Sequence, residues 1–319
     1  MKRALFLLLA SILWAQGAMA AGYRISVNQF VEHPALDAVL RGIQDHFSER
    51  GLEVEYKVHN AQANMGTATQ IGQQMIGEKA DLLIAIATPS AQATAQALGK
   101  APPPLKRPLL FTAVTDPVAA GLVKDLQHPG RWITGVSDRL PLREHLRMVQ
   151  SFLPGLRRLG VLYNAGEANS KSIVSGMRAL SGEMGFELVE ATAARTADVY
   201  QAAKSLVGRA DAIFIPTDNT IVSALESVIK VGVQNRLPVF AADVDSVARG
   251  AVAAMGFDYY RHGRQTGAMA ERILGGTPPA EIPVEFQQEL ELQINAGYAE
   301  RMGVTPPAQL LKRASRVYR

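Results

Sequence analysis

Leu82-Leu83-Ile84-Ala85-Ile86-Ala87-Thr88-Pro89-Ser90-Ala91-Gln92 is an apolar run that ends on a hydroxyl and a proline. An unbroken apolar run without polar alternation predicts a strand covered on both faces, as in a parallel sheet. Thr88 and Pro89 then predict the N-cap and first turn of a helix, which leaves the amides of Ser90 and Ala91 free for an anion such as a carboxylate. The same pattern recurs on either side. The run over residues 25–30 leads into Val31-Glu32-His33-Pro34, and 109–114 leads into Thr115-Asp116-Pro117. The run over 159–163 leads into Asn164-Ala165-Gly166-Glu167-Ala168-Asn169-Ser170. After 212–215 comes Pro216-Thr217-Asp218-Asn219-Thr220, and after 238–242 comes Asp243-Val244-Asp245.

Between these runs the apolar spacing is helical. Leu36, Val39, Leu40, Ile43 and Phe47 share one face, as do Thr67, Ile71 and Met75, and Ile221, Leu225, Val228 and Ile229. Strands alternating with helices predict an α/β fold of βαβ units with right-handed crossovers. The series runs twice, over residues 23–137 and 157–255, with further helices expected over 142–152 and 259–274. Residues 284–294 read as extended and the tail from Ala296 as helical. This predicts one lobe from 21–139 plus about 257–287 and a second from 140–256 plus about 288–319, a division usual for a chain this long. Several chain crossings between lobes make a hinge, and closure about a hinge is a familiar way to enclose a ligand.

Composition narrows the function. Lys2 and Arg3, an apolar stretch over residues 4–15 and Ala18-Met19-Ala20 form a secretory leader, with cleavage expected after Ala20. The apolar stretch is too short to span a bilayer comfortably. The chain has no cysteine, which excludes disulfides, a thiolate metal site and a lipidated cysteine behind the leader. A periplasmic location and a chain not spanning the membrane after cleavage are therefore expected. The formal charge of +4 falls to +2 without Lys2 and Arg3, and no basic stripe with interleaved aromatics suggests nucleic-acid binding. Residues 72–79 resemble a phosphate loop, but Glu78 intrudes and Ala80 stands where a hydroxyl is needed. There is no Gly-x-Ser-x-Gly elbow and no paired histidine spacing for a metal, so neither an enzyme nor a cofactor is expected.

In open α/β sheets ligands bind beyond the carboxyl ends of the strands. The polar segments there carry carboxylates, hydroxyls and amides, which suits a ligand with a positive and a negative end. A buried ammonium needs an ionic partner, and Asp116, Asp218 and Asp243 are the candidates. Phe30, Tyr163 and Phe257 are candidate apolar walls or core residues.

The same strand ends resemble one family. Gln29-Phe30-Val31-Glu32-His33-Pro34-Ala35-Leu36-Asp37, Ala87-Thr88-Pro89-Ser90-Ala91-Gln92, Thr115-Asp116-Pro117-Val118 and Thr134-Gly135-Val136-Ser137-Asp138 look like its signatures. So do Tyr163-Asn164 with Glu167-Ala168-Asn169-Ser170, Pro216-Thr217-Asp218-Asn219-Thr220, and Asp258-Tyr259-Tyr260 with Gly263-Arg264-Gln265-Thr266-Gly267. The family is the ABC-transporter substrate-binding proteins that include the tryptophan/tyrosine type, and the likeness covers nearly all of the mature chain. It implies a type I periplasmic-binding-protein fold, an amino-acid-like and often aromatic ligand, and an ABC permease and ATPase as partners; the receptor itself is expected to be a monomer. Ligand-contact positions carry over to Thr88, Ser90, Thr115, Asp116, Glu167, Asn169, Ser170, Thr217, Asp218, Asn219 and Asp243. Ala242 departs from the family's usual glycine, Val244 from a frequent threonine and Ser90 from a common alanine. A periplasmic sensor reporting to a membrane receptor would share this sequence pattern, and a hydrolase on the same scaffold is the remaining alternative.

Overall fold

The computed structural model describes residues 22–319, so the expected leader lies outside the described residues. The chain opens with β1 (Tyr23–Gln29), α1 (Pro34–Glu49), β2 (Val54–Asn60), α2 (Met65–Gly77), β3 (Leu82–Ile86), α3 (Thr88–Lys100), β4 (Leu109–Thr112) and β5 (Ile133–Ser137). It continues through α4 (Leu142–Phe152), β6 (Arg158–Tyr163), α5 (Ala168–Ser181), β7 (Glu187–Thr192), α6 (Val199–Lys204) and β8 (Ala212–Ile215). Next come α7 (Asn219–Ser223), α8 (Leu225–Asn235), β9 (Val239–Ala241), α9 (Asp245–Ala248) and β10 (Ala253–Gly256). It ends with α10 (Tyr259–Leu274), β11 (Glu285–Phe286), β12 (Glu291–Asn295), α11 (Ala296–Arg301), α12 (Ala308–Arg313) and β13 (Arg316–Tyr318).

Two sheets result, with strand orders β11-β5-β4-β3-β1-β2 and β13-β12-β10-β9-β8-β6-β7. In each, the first strand of its series lies between the second and the third. The order reverses there, which opens a crevice at the carboxyl ends. Pairing is parallel throughout, except that β12 runs antiparallel to β10. Each sheet has its own core. One gathers Val27, Ile84, Phe111 and Phe47, the other Val161, Phe214, Phe240 and Val228. Helix α10 follows β10 of the second sheet in sequence but packs on α1 in the first core. A Cβ added at Gly263 would lie 2.1 Å from the Val39 carbonyl, and one at Gly42 would lie 2.2 Å from that of Tyr260, so the two helices cross on bare glycine.

The central strands are the apolar runs that begin the reading, each end shifted by no more than two residues. The unpredicted strands have physical reasons for being faint. β2 and β7 lie at sheet edges and are only partly buried. β5 reads Ile-Thr-Gly-Val-Ser because Gly135 must lie flat on Phe111, where a Cβ would approach its carbonyl to 2.1 Å. The extended stretch over 284–294 divides into β11 and β12, one in each sheet, and the tail ends as a strand rather than a helix.

At α3 the local reading needs correction. Thr88 is the first helical residue, and the cap position belongs to Ala87, with φ 80° and ψ 153°. The Ala91 amide donates to the Ala87 carbonyl at 3.0 Å and is not free for an anion. Ala113, just past β4, is also left-handed at φ 53°. Strained non-glycine backbone of this kind costs about 1–3 kcal/mol per residue and collects at functional sites. Here both positions sit at carboxyl strand ends of the first sheet.

Candidate functional site

The turns after β1, β4, β5, β6, β8 and β9 converge where the two lobes face each other. They leave a cavity of about 20 Å³ lined by His33, Thr115, Asp138, Asn169, Thr217, Asp218, Asn219, Asp243 and Tyr259, among others. That volume holds about one water molecule. The lobes touch there directly, through the hydroxyls of Thr115 and Thr217 at 3.1 Å.

Each carboxylate at this junction is buried and hydrogen-bonded, most of them to a neighbouring turn. Glu167 accepts from the Asn169 side chain, from the backbone and side-chain amides of Asn219, and from the amide and hydroxyl of Thr220, at 2.6–3.2 Å. It thereby ties the start of α5 to the start of α7. Asp218 caps α7 through Ile221 N at 2.8 Å, and its other oxygen accepts from Asn164 N and Ser170 Oγ, both at 2.6 Å. Asp243 accepts from the amide and hydroxyl of Ser246 at 2.9 and 2.7 Å. Asp138, at the end of β5, accepts from Thr115 Oγ1 at 3.0 Å and Tyr259 Oη at 2.9 Å.

Three of them, Asp218, Asp243 and Asp138, hold their protons more tightly than ordinary carboxylates. Burial, then the neighbouring Glu167 charge, pushes Asp218 up to about 8 against its hydrogen bonds from Asn164, Ser170 and Ile221. Burial raises Asp243 and Asp138 as well. Asp245, just behind them, rises to about 7 through burial and then the charges of Asp243 and Asp258. No lysine or arginine lines this cavity. It is a polar junction dominated by carboxylates, with too few positive charges to stabilise all of them ionised.

Six of the residues predicted from the strand ends line the small cavity: Thr115, Asn169, Thr217, Asp218, Asn219 and Asp243. Glu167 and Ser170 stand directly behind, bonded to Asn219 and Asp218. Asp116 faces a second cavity, where it pairs with Arg139 at 2.8 Å and caps Ala119 N at 3.0 Å. Thr88 and Ser90 line neither cavity. The Thr88 hydroxyl is buried without a partner, and Ser90 Oγ donates to Asn28 Oδ1 at 3.0 Å inside the first lobe. None of the three candidate aromatic walls lines either of these two cavities. Phe30 is in the first core, Tyr163 is in the second with its hydroxyl on Glu190 at 2.7 Å, and Phe257 is buried elsewhere. Reading strand ends in isolation missed His33, Asp138 and Tyr259 as lining residues. All three stand within family-like stretches, Gln29–Asp37, Thr134–Asp138 and Asp258–Tyr260, which was the available signal.

Paired doubly wound lobes with a shared polar crevice define a two-lobed solute-binding protein. The family described as ABC transporter substrate binding protein matches residues 24–318, and this chain belongs to it. A tyrosine-binding protein of Clostridioides difficile (strain R20291) is 38% identical over 275 residues, 85% of this chain and 78% of that one. A Streptococcus pneumonia ABC domain solved with L-Trp is 31% identical, covers 93% of this chain and 100% of its own, and superposes with a TM-score of 0.87. The ligand-free, open structure of a substrate-binding protein with adhesive properties from Clostridium difficile is 35% identical over 93% of this chain and 99% of its own. Its TM-score is only 0.67. The conformation described here is nearer the complex than the open form, in keeping with the contact between Thr115 and Thr217. Among the described residues, no helix is long and apolar enough to cross a membrane.

Proposed function

We propose that the chain is the periplasmic receptor of an ABC importer and closes its lobes on a small aromatic amino acid. The observation that carries this reading is the set of buried carboxylates at the lobe junction, raised by burial and lacking a cation. An ammonium group supplies the missing charge. Asp138 of the first lobe and Asp243 of the second each accept only two hydrogen bonds and keep lone pairs for it, whereas Asp218 already accepts three. A cation held by both lobes favours the closed state, because it is desolvated and paired only when they meet.

A cavity of about 20 Å³ cannot admit an amino acid, so loading requires the lobes to part and close again around the ligand. The tyrosine- and tryptophan-binding relatives support an aromatic amino acid as cargo. The leader over residues 1–20 exports the chain, which acts as a monomer. The closed face then docks on a permease coupled to an ATPase, and the ligand is released unchanged, with no chemical step.

A thermal-shift screen over the amino acids, glucose and 5-methylthioribose tests the ligand class. L-tyrosine or L-tryptophan at a hundred times its dissociation constant should add about 2.7 kcal/mol of stability. Stabilisation by a sugar and by no amino acid would overturn the proposal.

A further inference from the structure

Beyond the contact between Thr115 and Thr217 lies a second cavity, of about 180 Å³. Both threonines line it as well as the small one, so the two spaces adjoin at that pair. Leu142, Ile173, Phe214 and Ala242 give it apolar walls. Asp116 and Arg139 stand on its solvent side, 22% and 44% exposed, with their charges occupied by each other and by Ser172 Oγ at 3.4 Å from Asp116. The remaining polar group on the wall is His145 of α4. Its side chain is 1% exposed, packs edge-on to Phe214 with centroids 6.0 Å apart, and has an Nε2 with no hydrogen-bond partner.

A buried ring nitrogen without a partner is costly, and native structures normally give such a group something to bond. Burial pushes His145 down to about 4, so the ring is neutral near pH 7 and can accept a hydrogen bond at one nitrogen. The space also has a matching size, since an apolar cavity of about 150 Å³ takes a benzene ring. Room for a ring, apolar walls and one unsatisfied polar atom together specify an aromatic group with a single donor.

We infer that this cavity receives the ligand's side chain, a phenol or indole ring whose O–H or N–H is bonded by His145, while the ligand's ammonium lies across the threonines among the carboxylates. The inference rests on the proposed amino-acid binding and adds to it a second compartment and a residue that sets specificity. The ring compartment is preformed in the closed protein. The ammonium compartment is collapsed, and inserting a ligand through both separates Thr115 from Thr217.

Calorimetric titration of the wild type, His145→Phe and Leu142→Trp with L-tyrosine, L-tryptophan and L-phenylalanine tests this. The wild type should bind the first two at least about tenfold more tightly than L-phenylalanine, because only they satisfy the nitrogen. His145→Phe keeps an aromatic ring against Phe214 but removes the acceptor, and should abolish that margin. Leu142→Trp fills the space from the partly buried start of α4. It should weaken all three ligands tenfold or more and decides the matter if the histidine variant fails to fold. Wild-type binding with margins untouched by His145→Phe, or a Leu142→Trp variant that binds normally, overturns the ring compartment alone. No binding of any amino acid by the wild type overturns the underlying reading as well.

Discussion

Asp218→Asn should remove a pH dependence that the ligand-free wild type displays between pH 6.5 and 8. Asp218 rises from an ordinary 3.8 to about 8, chiefly through burial and then through Glu167. A carboxyl raised on folding keeps a proton that the unfolded chain has already lost. Its contribution to stability is therefore full below the unfolded value, falls as pH rises towards about 8 and is constant above that. Each pH unit well within that window is worth about 1.36 kcal/mol per proton, so the contribution of Asp218 falls by about 1.6 kcal/mol from pH 6.5 to 8. Burial lowers His33 to about 3, and His145 and His262 to about 4, so their contributions start to be lost as pH falls through 6.5, with the opposite sign and equally in wild type and variant. Asp245, at about 7, adds a smaller loss of the same sign to wild type and variant alike. Asparagine caps a helix as well as aspartate, and its amide facing Asn164 N costs about 1–3 kcal/mol at either pH. Urea denaturation of both proteins at the two pH values separates this offset from the slope. Equal slopes would refute the assignment of a neutral Asp218.

Three other substitutions probe different parts of the account. Glu167→Ala leaves the donors of Asn219 and Thr220 unmatched and should lower stability by roughly 3 kcal/mol or more in urea. Thr217→Val removes a hydroxyl contact between the lobes that an entering ligand has to break, worth about 1 kcal/mol, and should tighten amino-acid binding by up to about fivefold in calorimetry. Gly263→Ala places a methyl against the Val39 carbonyl, 2.1 Å away before relaxation, and should destabilise the first lobe by about 3 kcal/mol or more, measured by thermal unfolding.

Which parts of this arrangement were legible in the sequence follows from how each residue signals itself. Runs such as Leu82–Ile86 and Ala212–Ile215 are buried on both faces, so nothing dilutes their apolar pattern. Edge strands such as Val54–Asn60 alternate with solvent and carry a weaker mark. The polar turns were visible because capping and ligand binding use the same residue types. For that reason the sequence could not tell that Ser90 serves Asn28 or that Glu167 clasps α7. His145 had no local signal at all. It stands on α4 with its surroundings supplied by α5, β8 and the segment after β5, and its orphaned nitrogen exists only once those meet. Phe30 and Tyr163 show the converse, aromatics beside polar turns that pack away from the crevice.

The most direct test is calorimetric titration with L-tryptophan and with indole-3-propionate, which keeps the ring and carboxylate and lacks the ammonium. The carboxylate cluster predicts binding of the amino acid and a loss of at least about a hundredfold for the analogue, since a buried partner left unpaired costs about 3–5 kcal/mol. Equal affinity for the two compounds would contradict it.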